Sequence, residues 1–172
     1  RILLANQLSN DFLEHIDNVD VLHVHSGETH HTSTTKTDKI EEWHLGSVKN
    51  QIIFTTYHSL HKITSSPSIE VSVMYCDEAH NSCSKQFFDA VKDMTMICER
   101  KYFFTATPRI SHKHERGMNN HKVFGHVIEN VPAPTLIDNG SIIPPTIVPF
   151  KTSHDVDTVS YTHLRAHETY DH

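Results

Sequence analysis

Apolar positions along this chain follow two alternating rhythms. Ile2, Leu3, Leu8, Phe12, Leu13 and Ile16 recur near helical spacing and predict a helix running to about Ile16. Residues 19–25 set three valines against Asp, Leu and His, a short strand closed by Ser26-Gly27. Residues 28–37 are polar, rich in Thr and His and without periodicity, and read as a loop. Thr37 or Asp38 then opens a short helix carrying Ile40, Trp43 and Leu45 that ends near Gly46. Gln51-Ile52-Ile53-Phe54-Thr55-Thr56 reads as a second buried strand, followed by a helix over residues 57–63 with Thr56 at its N-cap. Val71-Ser72-Val73-Met74-Tyr75-Cys76, uncharged and bounded upstream by Ser65-Ser66-Pro67, predicts a strand buried on both faces, the habit of a parallel sheet. Phe87, Phe88, Val91 and Met94 share one face of a helix over residues 84–94, a crossover to a further strand at residues 102–105. From Val123 to Pro145 the pattern gives a helix, a turn and a closing strand, with a last strand at residues 147–150. The alternation predicts an α/β fold, a parallel sheet flanked by helices.

Composition narrows the class. The 172 residues are close to one domain, on a prior of roughly 150 residues each. Hydrophobic residues at 37% and charged residues at 21% describe a soluble globular protein rather than a disordered one. No apolar run approaches the length of a bilayer span, and Arg1 opens no signal-peptide pattern. The net charge of -6 excludes a broadly basic nucleic-acid sleeve, so any such contact must be local. Cys76, Cys83 and Cys98, an odd set without C-x-x-C spacing, read as reduced thiols in a cytoplasmic setting. Seventeen histidines raise metal binding, but they are scattered, and neither His114-Glu115 nor the run from His167 to His172 has the H-E-x-x-H spacing. His112-Lys113-His114 with Arg116 forms a small basic patch, read first as a solvated loop and second as a phosphate contact.

The chemistry concentrates where the uncharged strand runs into Asp77-Glu78-Ala79-His80. Ligands of open α/β sheets gather beyond the carboxyl ends of the strands. Two acids there suit a division of labour: Asp77 holds a hydrated Mg²⁺, a hard cation that prefers oxygen, and Glu78 takes a proton from an attacking water.

Asp77-Glu78-Ala79-His80 resembles the Walker B element, motif II, of superfamily 2 helicases of the DEAH type. Tyr102-Phe103-Phe104-Thr105-Ala106-Thr107-Pro108-Arg109 resembles their motif III, and Ile2-Leu3-Leu4-Ala5-Asn6-Gln7 the tail of motif Ia. Thr55-Thr56-Tyr57-His58-Ser59-Leu60 resembles the family segment whose hydroxyls touch the sugar-phosphate backbone. Phe124-Gly125, then the run from Leu136 to Pro145, resembles the segment after motif III in the branch holding type III restriction-enzyme motor subunits and phage helicases. The resemblance implies part of a RecA-like P-loop NTPase domain over residues 1–150, working as an ATP-dependent helicase or translocase. It implies ATP and Mg²⁺ as cofactors, nucleic acid (DNA foremost) as partner, and a second RecA-like domain in cis. It further implies that His80, with Thr105, Ala106 and Thr107, couples hydrolysis to movement, and that Gln7, Thr56 and Ser59 contact nucleic acid.

No G-x-x-x-x-G-K-[S/T] run occurs, and no Gly is followed by Lys. The expectation is therefore a truncated motor domain lacking its first strands and P-loop, inactive as an isolated chain. Residues 151–158 read as a linker. The run from Val159 to Thr169 resembles one reading frame of a sequencing adapter, so residues 159–172 are set aside as an artefact. Two other classes stay open: a catalytically inactive RecA-like module that binds nucleic acid or a partner, and a His-rich metal-binding protein.

Overall fold

A computed structural model describes residues 2–112 and 115–146. The chain divides into two units, residues 1–127 and residues 128–172. In the first, helix α1 (Ile2–Leu13) leads into strand β1 (Val19–Val24), and helix α2 (Thr37–Gly46) crosses over to β2 (Asn50–Thr55). The short helix α3 (Leu60–Thr64) precedes β3 (Val71–Cys76). A 3-10 turn (Ala79–Cys83) and helix α4 (Phe88–Ile97) then return the chain to β4 (Cys98–Phe103), and α5 (His121–Phe124) follows.

Both strand pairs are parallel: β1 on β2, from Val19 opposite Asn50 to Val24 opposite Thr55, and β3 on β4, from Val71 opposite Cys98 to Cys76 opposite Phe103. A parallel pair requires a crossover, and α2 and α4 supply one each. The two ladders are not hydrogen-bonded to each other. They meet instead through α1, whose Phe12 ring lies 6.2 Å from both Phe54 on β2 and Tyr75 on β3. One core runs beneath both, with Leu22, Val24, Ile40, Ile63, Met74 and Val91 among its buried members. Each such side chain contributes about 1.5–3 kcal/mol by leaving water. The mixed α/β architecture with parallel strands agrees with the sequence.

Several elements differ in detail. β3 is not buried on both faces: Met74 and Cys76 point into the core, but Tyr75 is 56% exposed. In a two-stranded ladder one face lies only partly covered, and there Tyr75 stacks on Tyr102 and Phe104 at 5.4 and 6.2 Å. Thr56 does not cap a helix; α3 begins later, at Leu60, with Ser59 in the cap position and no side-chain cap bond. Residues 56–59 form a turn instead, the Ser59 amide donating to the Thr56 carbonyl at 2.9 Å. Lys36, rather than Thr37 or Asp38, precedes α2. The crossover helix expected at residues 84–94 starts at Phe88, because the 3-10 turn takes up the chain first.

Described by itself, the second unit contains α6 (Ala133–Asp138), entered through Pro132 and Pro134 and left through Gly140. Gly140 has φ 75°, a left-handed conformation suited to a residue without Cβ. Residues 141–146 form no strand. The expected strand at residues 147–150, the linker and the tail from residue 159 lie outside the described residues, as do Lys113 and His114 of the basic patch. Among the described residues no helix is long and apolar enough to cross a membrane.

Candidate functional site

The site is built at the carboxyl ends of β3 and β4. Their register carries on past the last strand residues: the Phe104 amide donates to the Cys76 carbonyl at 2.8 Å, and the Ala79 amide to the Phe104 carbonyl at 2.9 Å. These two bonds bring the Asp77–His80 turn alongside the Thr105–Thr107 turn. His80 Nδ1 lies 2.9 Å from Thr105 Oγ1, 3.3 Å from Thr107 Oγ1 and 3.4 Å from Glu78 Oε2. The Thr107 amide donates to Thr105 Oγ1 at 3.1 Å, folding the second turn back on itself. One imidazole nitrogen therefore lies within reach of a carboxylate and two hydroxyls.

Asp77 and Glu78 are exposed, which keeps their carboxylates open to water and ligands. The Glu78 amide donates to Asp77 Oδ1 at 2.8 Å, fixing the Asp77 side chain. Glu78 has φ 47° and ψ 45°, a left-handed conformation uncommon outside glycine and costing about 1–2 kcal/mol. Its neighbours hold it there: the Glu78 carbonyl accepts both the amide and the side-chain Nδ2 of Asn81, each at 3.0 Å. Ala79, the next residue, is fully buried and anchors the turn to the core. Asp77 offers oxygen alone in its side chain, the donor a hard divalent cation prefers, so the residue fits Mg²⁺. No phosphate cradle of the G-x-x-x-x-G-K kind accompanies it in the sequence.

The remaining expected residues lie on other elements. Thr56 and Ser59 sit together in the turn after β2, Thr56 Oγ1 donating to Ser59 Oγ at 3.5 Å. Gln7 is exposed on α1 and makes no hydrogen bond to either among the described residues. Two residues escaped the sequence reading. Tyr57 donates its hydroxyl to the Asp77 carbonyl at 2.8 Å, and Asn81 clasps Glu78 as described. For Asn81 the signal was its place three residues past Glu78, within one turn's reach; for Tyr57 no local signal existed, since the bond spans 20 residues.

A second cluster lies at the end of β1. The Gly27 amide donates to His25 Nδ1 at 3.2 Å, which leaves the proton of neutral His25 on Nε2. That Nε2 lies 3.0 Å from His23 Nδ1, so His25 donates and His23 accepts. The His23 proton is then on Nε2, a buried atom without a partner among the described residues. His31 stacks on His23 at 5.1 Å, and Phe54 covers it at 5.3 Å. Burial, then the neighbouring His25 and His31, push the His23 pKa down from 6.5 to about 4; burial lowers that of His25 as well. Both nitrogens that face each other are used by the hydrogen bond, and among the described residues no group of three His, Cys, Asp or Glu gathers to hold a metal ion.

A family model described as "Type III restriction enzyme, res subunit" matches residues 1–110. That span takes in both strand ladders, the acid pair and the Thr105–Thr107 turn. No curated protein matches the chain. No solved structure matches it.

Proposed function

The chain belongs to the family of the type III restriction enzyme res subunit, and from that premise we propose that it carries the acid pair and coupling turn of an ATP-driven nucleic-acid motor. Family membership brings with it a helicase-like, ATP-dependent function in general terms. The finer assignment is of the DEAH type, over a partial RecA-like domain at residues 1–150, with DNA as the foremost partner. The observation that carries it is the single His80 nitrogen shared between Glu78 and the hydroxyls of Thr105 and Thr107. An acid pair at a strand end is common; one wired through an imidazole to the next strand's hydroxyl turn is a device for passing a change of state.

Mg²⁺, when bound with nucleotide, neutralises charge on the transferring phosphoryl group. The protein's own work is then divided among named residues. Asp77, its Oδ1 already tied to the Glu78 amide, would hold the cation through its carboxylate. Glu78 receives a proton from the attacking water at a carboxylate oxygen, and His80 orients that carboxylate from 3.4 Å. When Glu78 changes protonation or contacts, His80 Nδ1 shifts its hydrogen bonding toward or away from Thr105 and Thr107, which reports hydrolysis to whatever docks on that turn. Thr56, Ser59 and Gln7 meet nucleic acid through hydroxyl and amide groups, which bind phosphate without reading sequence. A second RecA-like domain would close over the same edge of the sheet.

The test is hydrolysis by the protein expressed from the complete gene. Mg²⁺-dependent ATP turnover that rises severalfold on adding duplex DNA is the expected result, measured by phosphate release. Absent turnover leaves a module that only binds, and that result, or turnover indifferent to Mg²⁺ or to DNA, overturns the motor assignment.

A further inference from the structure

The backbone around Glu78 is held at every polar group. The Glu78 amide and carbonyl are taken by Asp77 Oδ1 and Asn81, and the Ala79 amide by the Phe104 carbonyl. The fourth group, the Asp77 carbonyl, accepts the hydroxyl of Tyr57 at 2.8 Å. The first three partners come from the acid turn itself or from Phe104, just past its neighbour β4. Tyr57 alone reaches in from the other strand ladder, across the end of β2.

Its position in sequence gives this bond a meaning. Tyr57 stands between Thr56 and Ser59, the hydroxyl pair assigned to nucleic acid. Its ring is not free to swing: it stacks on Phe87 at 5.9 Å with planes 26° apart, and His58 meets the same Phe87 edge-on at 4.6 Å. Burial and the nearby Cys76 thiol hold the Tyr57 hydroxyl in its protonated form, so the donor persists at any working pH. A hydroxyl–carbonyl bond keeps its strength over only a few tenths of an ångström. Any displacement of the 56–59 turn therefore either moves the Asp77–Glu78 peptide or breaks the bond.

We propose that Tyr57 is a positioning residue through which nucleic acid bound at the 56–59 turn sets the Asp77–Glu78 peptide, and with it the left-handed Glu78. The inference rests on the motor function above and names the route by which the partner reaches the acids. Pulling on the Asp77 carbonyl rotates the peptide that Glu78 shares, because its other end is pinned by Asp77 Oδ1. The consequence is felt at the Glu78 carboxylate, where water must be met in line. Information then passes in two directions through one turn: inward from nucleic acid through Tyr57, and outward from hydrolysis through His80.

The test uses the protein expressed from the complete gene, its Tyr57→Phe variant and a duplex DNA oligonucleotide. Phe keeps the ring on Phe87 and removes only the hydroxyl. The ratio of turnover with DNA to turnover without it is expected to fall from severalfold toward one, while the variant still binds the duplex. Hydrogen exchange at the Glu78 and Ala79 amides of the wild type is expected to slow on DNA binding, a readout that needs no variant to fold and no turnover to occur. An unchanged stimulation ratio in Tyr57→Phe, or wild-type exchange at those amides indifferent to DNA, overturns the inference and leaves the motor function standing. A wild type without DNA-stimulated turnover overturns both.

Discussion

Replacing Glu78 by Gln in the protein expressed from the complete gene is expected to lower ATP turnover by about 10²–10⁴-fold, the usual worth of a positioned general base. Gln keeps the length and shape of the side chain and can still lie beside His80, which in the wild type is 3.4 Å from Glu78 Oε2. What it lacks is a basic oxygen to receive the proton of the attacking water. The left-handed backbone at this position is held by Asp77, Asn81 and Phe104 through main-chain groups, so the substitution leaves the turn in place. Nucleotide binding should therefore persist while hydrolysis is lost, a pattern read by equilibrium binding of ATP beside steady-state phosphate release. Wild-type turnover in Glu78→Gln contradicts the role given to this carboxylate.

Acid should destabilise the chain through the other ladder, and His23 is the reason. Its pKa is pushed from 6.5 to about 4 in the folded protein, so between those values the unfolded chain binds a proton that the native one excludes. The contribution of His23 to stability is then fully present above pH 6.5, falls as the pH drops toward about 4, and is lost below it. The whole shift corresponds to about 3 kcal/mol; partial screening through the polar loop nearby reduces the expected loss to about 2 kcal/mol. The groups facing His23 are His25 and His31 from the same segment, Thr29 at 3.4 Å and the uncharged Phe54 of β2, with no carboxylate among them to favour the imidazolium. Urea unfolding midpoints at a series of pH values check this, with His23→Leu as comparison. The variant should lose the part of the slope that belongs to this range. Identical pH profiles for the two proteins contradict it.

What the sequence made legible was whatever depends on neighbours along the chain. The apolar run from Val71 and the acids that follow it located β3 and its rim, since a strand's end can be read from where its hydrophobic pattern stops. The pairing of β3 with β4 followed from an amphipathic segment long enough to cross over, but β4 spans Cys98–Phe103 rather than the expected residues 102–105, its start hidden by the charges of Glu99, Arg100 and Lys101. Burial was less legible: Tyr75 reads as core by residue type, but its face of the ladder is only partly covered, by Phe12 of α1, and a uniform apolar run does not say which faces are covered. The start of α3 was misplaced because Thr56 is a good cap locally, whereas Tyr57 is drawn toward Asp77 and Phe87 and the turn unwinds to meet them. The left-handed Glu78 was hidden too, for a carboxylate gives no local sign of an unusual φ. Tertiary hydrogen bonds, not propensity, decided both.

Iron-directed cleavage bears on the acid pair most directly. With Fe²⁺ in place of Mg²⁺, a non-hydrolysable ATP analogue, ascorbate and peroxide, hydroxyl radicals cut the backbone only near the bound ion. The account predicts cuts within residues 76–79 and 104–107 of the protein expressed from the complete gene, and their loss in Asp77→Asn. Cuts elsewhere that spare both turns, or the same cuts undiminished in Asp77→Asn, would contradict it.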